Sequence, residues 1–135
     1  MPEIRDVPHA LELLEQAVST RGADYVYRQH VAFDEFGAVD CRYEHDDQPD
    51  CVIGVVLHLA GYDIVTLGRL DSYAHGKPLS ARYLYRHLYE LGAEACYVLG
   101  VAQEAQDNGY SWGEALSAAR AAAANTPSYL RSAKS

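Results

Sequence analysis

The sequence predicts a mostly helical α+β protein, in which about five helices pack around a short antiparallel β-hairpin. Apolar residues recur at spacings of three and four in several segments, which is typical of amphipathic helices. Residues 24–46 instead alternate with period two, which is typical of strands. The 135 residues, 49% of them hydrophobic, suffice for one core. We therefore predict a single globular domain over residues 1–124 and a flexible C-terminal tail over residues 125–135.

The first helix is predicted over residues 6–21. Asp6 is a suitable N-cap, Pro8 fits the first turn, and Gly22 fits the position after the last turn. The apolar face consists of Ala10, Leu11, Leu14, Ala17 and Val18.

The hairpin is predicted within residues 24–46. Tyr25 and Tyr27 alternate with Val26 in the first run, and a second run ends near His45. The turn is expected near residues 34–38. Because two strands alone are only marginally stable, this hairpin has to pack on helices.

A central helix is predicted to start at Cys51, with Asp50 as its N-cap. Residues 52–59 are apolar nearly all round, which indicates burial on every side. A short helix is expected over residues 64–70.

Three helices are predicted in the remaining sequence. One covers residues 79–91, with a leucine stripe, and the next covers residues 93–107. The last begins at the pattern Ser111-Trp112-Gly113-Glu114, which matches a capping box, and places Trp112 on the inner face.

The charge balance excludes several classes of partner. The chain has 11 Lys+Arg against 19 Asp+Glu, a formal net charge of -8. Nonspecific nucleic-acid binding and attraction to acidic membranes both need a basic surface. No apolar run is long enough to span a membrane, and no signal-peptide pattern is present. These features predict a cytoplasmic protein, in which the three cysteines are expected to form no disulfide framework.

Two cysteines and two histidines form a candidate metal site, made of Cys41, His45, Cys51 and His58. Cys51 and His58 are seven residues apart, which is about 10.5 Å along a helix and too far for one small ion. Cys51 with His45 also suggests a nucleophile and its base, although the acids around them oppose a thiolate. The simpler interpretation is that these thiols and rings are core residues, and we expect no cofactor.

Acidic residues are concentrated in one stretch of the chain, namely Asp34, Glu35, Asp40, Glu44, Asp46, Asp47 and Asp50. This stretch lacks the pattern of a calcium-binding loop. It predicts either a docking surface centred on Asp46 and Asp47, a loose divalent-ion site, or a solvated face.

Aromatic and basic residues cluster further along, in the predicted helix and before it. The set comprises Arg69, Tyr73, Lys77, Arg82, Tyr83, Tyr85, Arg86, His87 and Tyr89. Tyrosine and arginine are enriched at protein interfaces, so Arg82, Tyr85, Arg86 and Tyr89 are the predicted partner-binding residues. They are also compatible with base stacking, or with an ordinary helix whose tyrosines bridge core and water.

Parts of the sequence resemble small acidic proteins of actinobacteria and their phages. The resemblance spans roughly residues 23–119, and it is carried by the runs Ala23-Asp24-Tyr25-Val26-Tyr27, Cys41-Arg42-Tyr43-Glu44-His45, Pro49-Asp50-Cys51 with Gly54, Ala102-Gln103-Glu104-Ala105-Gln106-Asp107-Asn108-Gly109 and Trp112-Gly113-Glu114-Ala115-Leu116. This group has no established activity, so the resemblance implies a source and a class and no mechanism.

The leading hypothesis is a phage or actinobacterial interaction module that binds a host protein or a second copy of itself. The sequence carries no Gly-rich phosphate loop, G-x-S-x-G or H-E-x-x-H motif, which favours binding over catalysis. One alternative is an enzyme or metal-binding protein centred on Cys41, His45 and Cys51. Another is an acidic mimic of nucleic acid.

Overall fold

The computed structural model describes residues 2–27, 42–72, 79–127 and 130. Within these ranges the elements are α1 (Val7–Arg21), β1 (Glu44–His45), β2 (Gln48–Pro49), α2 (Val52–Leu59), α3 (Ile64–Asp71), a 3₁₀ helix (Ala81–Arg86), α4 (Ala93–Asp107) and α5 (Trp112–Ala124). The predicted α+β class, mostly helical with a small antiparallel hairpin, is confirmed. The end of α5 leads to Thr126, whose side chain is buried. The tail prediction falls largely outside the described residues.

Helix α4 is the centre of the packing. It contacts α5, the 3₁₀ helix, α1 and α2, so most described elements share its surface. Helix α2 is buried from Val52 to Leu57, as its all-round apolar sequence predicts. Its Gly54 lies directly against the backbone of Tyr43, since a Cβ there would be only 2.1 Å from the Tyr43 carbonyl oxygen.

Helix α1 has the predicted ends. The Asp6 carboxylate accepts a hydrogen bond from the His9 amide at 2.9 Å, which caps the free amides of the first turn. Gly22 has φ +95° and its amide donates to the Val18 carbonyl. The buried face comprises Ala10, Leu13, Leu14, Ala17 and Val18, and it packs on α2, α4 and α5.

The described hairpin is shorter than the predicted one and lies later in the chain. Strand β1 pairs with β2, with His45 opposite Gln48, and the two residues Asp46 and Asp47 form the turn. Among the described residues of the predicted first strand, Val26 pairs elsewhere, because it bridges to Ser111 at the start of α5. The turn predicted near residues 34–38 falls outside the described residues.

The predicted cap of α2 is wrong by one residue. Cys51 is the N-cap, and its sulfur accepts from the Gly54 amide at 3.5 Å. The Asp50 carboxylate is buried and accepts from the Tyr27 hydroxyl at 2.6 Å. The Asp50 side chain, which the local pattern assigned to the helix cap, therefore binds a residue that is distant in the sequence.

The helix predicted over residues 79–91 is also wrong in type and length. The chain forms only the 3₁₀ helix Ala81–Arg86, followed by turns up to Leu91. Leu84 and Leu91 are nevertheless buried, so the predicted leucine stripe does face the core. Aromatic residues such as Tyr83 and Tyr85 lose side-chain freedom in an α-helix, which weakens the local preference for one here.

None of the helices in the described ranges has the length and apolar character needed to cross a membrane.

Candidate interaction surface

The 3₁₀ helix is anchored to α4 along its inner side. The Ser80 hydroxyl caps its start, and the Ala81 amide donates to Oε1 of the buried Gln103 at 2.8 Å. Leu84 is fully buried. A 3₁₀ helix repeats every three residues, so positions 83 and 86 lie together on a different side from positions 81 and 84.

Arg82, one of the predicted binding residues, is bound within the molecule. Its guanidinium donates two hydrogen bonds to the Glu104 carboxylate, at 2.8 and 2.9 Å, and lies 5.0 Å from the centroid of the Tyr97 ring. The hydrogen bonds from Arg82 lower the pKa of Glu104. The side chain of Arg82 therefore fastens the 3₁₀ helix to α4.

Tyr85, the second predicted binding residue, is half-buried. Its ring packs against the hydrophobic core. Its backbone hydrogen-bonds to the buried thiol of Cys96, whose pKa burial raises to about 12. Only part of Tyr85 is therefore open to a partner.

Arg86 and Tyr89 reach the surface together with Tyr83. Tyr89 is 86% exposed and Tyr83 is 44% exposed. The Arg86 guanidinium lies 4.8 Å from the centroid of the Tyr83 ring and 5.8 Å from that of Tyr85. We call Tyr83, Arg86 and Tyr89, with the exposed edge of Tyr85, the tyrosine–arginine surface. Tyr83 belongs to the aromatic and basic set but not to the four predicted binding residues, although its spacing of three from Arg86 is visible in the sequence.

Asp46 and Asp47 project from the hairpin and form what we call the acidic turn. Asp46 has φ +52° and Asp47 has φ +62°, so both central residues adopt the left-handed conformation of a tight hairpin turn. The Asp46 side chain is 88% exposed and its carboxylate lies 3.3 Å from Nε2 of His45. The other predicted acids Asp34, Glu35 and Asp40 fall outside the described residues, whereas Asp50 is buried.

The alternative metal set is not assembled in the part of the chain that the structure describes. Cys51 is disulfide-bonded, so its sulfur is not a free thiolate, and the expectation of no disulfide is wrong at this position. His58 is exposed in the last turn of α2. Cys41 lies outside the described residues. No group of three or more histidine, cysteine, aspartate or glutamate residues within the described ranges is arranged to hold a metal ion.

Two buried glutamines on α4 are structural residues that the sequence analysis missed. Gln103 Nε2 donates to the Tyr43 hydroxyl at 3.0 Å, and that hydroxyl donates to the Leu79 carbonyl. Gln106 Oε1 accepts from the Val52 amide and from Nε1 of Trp112. The only sequence signal was two glutamines three residues apart on the inner side of a predicted helix.

An open groove of about 650 Å³ lies where the 22–25 turn meets the start of α5. Small residues form most of its lining, with Asp24, Tyr110 and Glu114 also present. The Glu114 carboxylate is already engaged, because it accepts from the Ser111 amide in the confirmed capping box. One of the two carboxylates that line the groove therefore already serves to cap α5.

No family model, no curated protein and no solved structure matches this chain.

Proposed function

We propose that this protein is an interaction module of phage or actinobacterial origin that binds a host protein through the tyrosine–arginine surface. The observation that carries the proposal is the 86% exposure of Tyr89, three residues beyond an Arg86 whose guanidinium lies 4.8 and 5.8 Å from the centroids of two tyrosine rings. Tyrosine and arginine are the residue types that most often dominate the energy of a protein interface.

The geometry of Arg86 favours binding over a purely structural role. Stacking on Tyr83 and Tyr85 restricts the side chain, so less conformational entropy is lost when a partner docks. The guanidinium has five N–H donors, and its edge suits a carboxylate of the partner. Arg82 already forms such a pair with Glu104 of the same chain, so its N–H donors are used within the protein. This is the difference between Arg82 and Arg86.

The proposal includes a cytoplasmic location. The redox state of the disulfide-bonded Cys51 in cells is the most direct test of that location. Structural disulfides are rare in reducing compartments, so a cytoplasmic protein would hold Cys51 reduced for much of its life. Thiol labelling in freshly prepared extracts measures this state. A fully oxidised Cys51 in cells would move the proposed site of action to an oxidising compartment and leave the binding surface unchanged.

Affinity capture from actinobacterial lysate tests the function. The bait variant is Arg86→Ala with Tyr89→Ala, and the matched control is Arg120→Ala with Tyr110→Ala, which removes an exposed arginine and an exposed tyrosine elsewhere. We expect wild type and control to capture the same protein. The affinity of the first variant for that protein should be lower by about thirtyfold or more. Equal capture by all three baits would contradict the proposal.

A further inference from the structure

We infer that the tyrosine–arginine surface also accepts the acidic turn of a second copy of this chain. The inference rests on the proposed function, because it uses the same surface. It specifies what occupies that surface: Asp47 in the acidic turn of one copy pairs with Arg86 of the other.

The receiving side is Arg86, which has no carboxylate partner among the described residues. Within the described residues no ion pair joins Arg86 to an acid, whereas Arg82 is paired with Glu104 and Arg120 with Glu15. The centroids of the Tyr83 and Tyr85 rings lie 4.8 and 5.8 Å from the guanidinium carbon. Its N–H edge is the part that recognises a carboxylate, preferably with two parallel hydrogen bonds.

The docking side is a tight turn that presents two adjacent carboxylates. Asp46 is already 3.3 Å from the His45 ring, so Asp47 is the acid with no ion-pair partner among the described residues. The Asp47 amide hydrogen-bonds to the Glu44 carboxylate at 3.3 Å, and the flanking strands are paired on both sides of the turn. These contacts restrict the turn, so less entropy is lost when it docks.

Every copy carries both the surface and the turn, so two copies offer each other complementary charges. The net charge of -8 per copy repels two copies at long range. Self-association therefore depends on local pairing of opposite charges, and reversing either charge should weaken it strongly.

Sedimentation velocity over a concentration series tests this with purified protein. The samples are wild type, Arg86→Glu, Asp47→Arg, a one-to-one mixture of the two variants, and the control Arg120→Glu. We expect wild type and the control to associate reversibly, and each charge reversal to weaken association by about thirtyfold or more. The mixture should associate again. One contact joins the intact Arg86 of the Asp47→Arg variant to the intact Asp47 of the Arg86→Glu variant. The other contact joins the two introduced side chains, which also carry opposite charges.

Circular dichroism checks that each variant keeps its fold. If a charge reversal disturbs the fold, Arg86→Gln replaces Arg86→Glu, and Asp47→Asn replaces Asp47→Arg. A wild-type protein that stays monomeric up to millimolar concentration overturns the inference. So does association that persists in both charge-reversal variants. Host capture that survives in either case leaves the proposed function standing, so the two failures are distinguishable.

Discussion

Gln106 is the residue on α4 where three elements meet. Its Oε1 accepts from the Val52 amide at 2.8 Å, at the start of α2, and from Trp112 Nε1 at 3.1 Å, at the start of α5. The side chain is only 1% exposed, so water cannot replace these contacts. An amide oxygen with two lone pairs can satisfy both donors at once.

Replacing Gln106 with Leu is expected to lower the free energy of unfolding by about 2–6 kcal/mol. The substitution leaves two buried N–H donors unsatisfied, each of which costs about 1–3 kcal/mol. Urea denaturation of the variant, of wild type and of Gln16→Leu measures the effect, since Gln16 is exposed on α1. A loss no larger than that of Gln16→Leu would show that the two donors find other acceptors.

At the scale of elements, the hairpin is built on an unfavourable turn. Its two central residues both have positive φ, a conformation that costs residues with a side chain about 1–2 kcal/mol and glycine almost nothing. Asp and Asn tolerate this region better than other residues, which is consistent with the choice of Asp46 and Asp47.

Asp47→Gly is therefore expected to raise the free energy of unfolding by about 0.5–1 kcal/mol, as the relief of strain exceeds the added entropy of the unfolded chain. Asp24→Gly is the matched control, because Asp24 is exposed and its φ is not positive. We expect the control to lower stability slightly. If thermal melts show the same decrease for both, the Asp47 side chain itself stabilises the turn.

The contact between the 3₁₀ helix and α4 should depend on pH. Hydrogen bonds from Arg82 lower the pKa of Glu104, so the folded protein keeps this carboxylate ionised to a lower pH than the unfolded chain does. The stabilisation is complete above the unfolded pKa of about 4.3 and is lost as the pH falls through the lower folded pKa. Because Glu104 is 55% exposed, the contribution at pH 7 is less than about 1 kcal/mol.

Glu104→Gln tests this dependence. We expect the variant to be less stable than wild type at pH 7, and the difference in unfolding free energy to shrink as the pH is lowered below about 4. Glu12→Gln is the control, since Glu12 is exposed on α1 and forms no ion pair among the described residues. A difference that is the same at pH 7 and at acidic pH would mean that the ion pair contributes nothing.

At the scale of the whole molecule, the disulfide at Cys51 adds a covalent crosslink at the start of α2. A crosslink stabilises mainly by limiting the unfolded chain, typically by about 2–4 kcal/mol. We therefore expect full reduction to lower the unfolding free energy by this amount, measured by urea denaturation with and without reductant.

Cys51→Ala is the control for that measurement. It removes the disulfide, so added reductant should leave its denaturation curve unchanged, whereas the wild-type curve shifts to lower urea. Identical wild-type curves under both conditions, with reduction verified by thiol titration, would contradict a stabilising role.

The parts of the fold that the sequence predicted correctly depend on short-range signals. Asp6 and Ser111 bond to amides only three residues away, so the cap and its partner are visible in one short segment. The all-round apolar character of α2 likewise indicates a central position without knowledge of its neighbours. Helix periodicity located α3, α4 and α5 for the same reason.

The parts that the sequence did not determine depend on partners far along the chain. Asp50 binds the Tyr27 hydroxyl, 23 residues away, instead of capping α2. The Ala81 amide binds Gln103, 22 residues away, at the start of a 3₁₀ helix where periodicity predicted an α-helix. Arg82 and Arg86 are equivalent by pattern, and only tertiary packing decides that Glu104, on α4, pairs with Arg82 while Arg86 lies against tyrosine rings. A local pattern cannot show this, because a side chain's partner is set by which elements the core brings together.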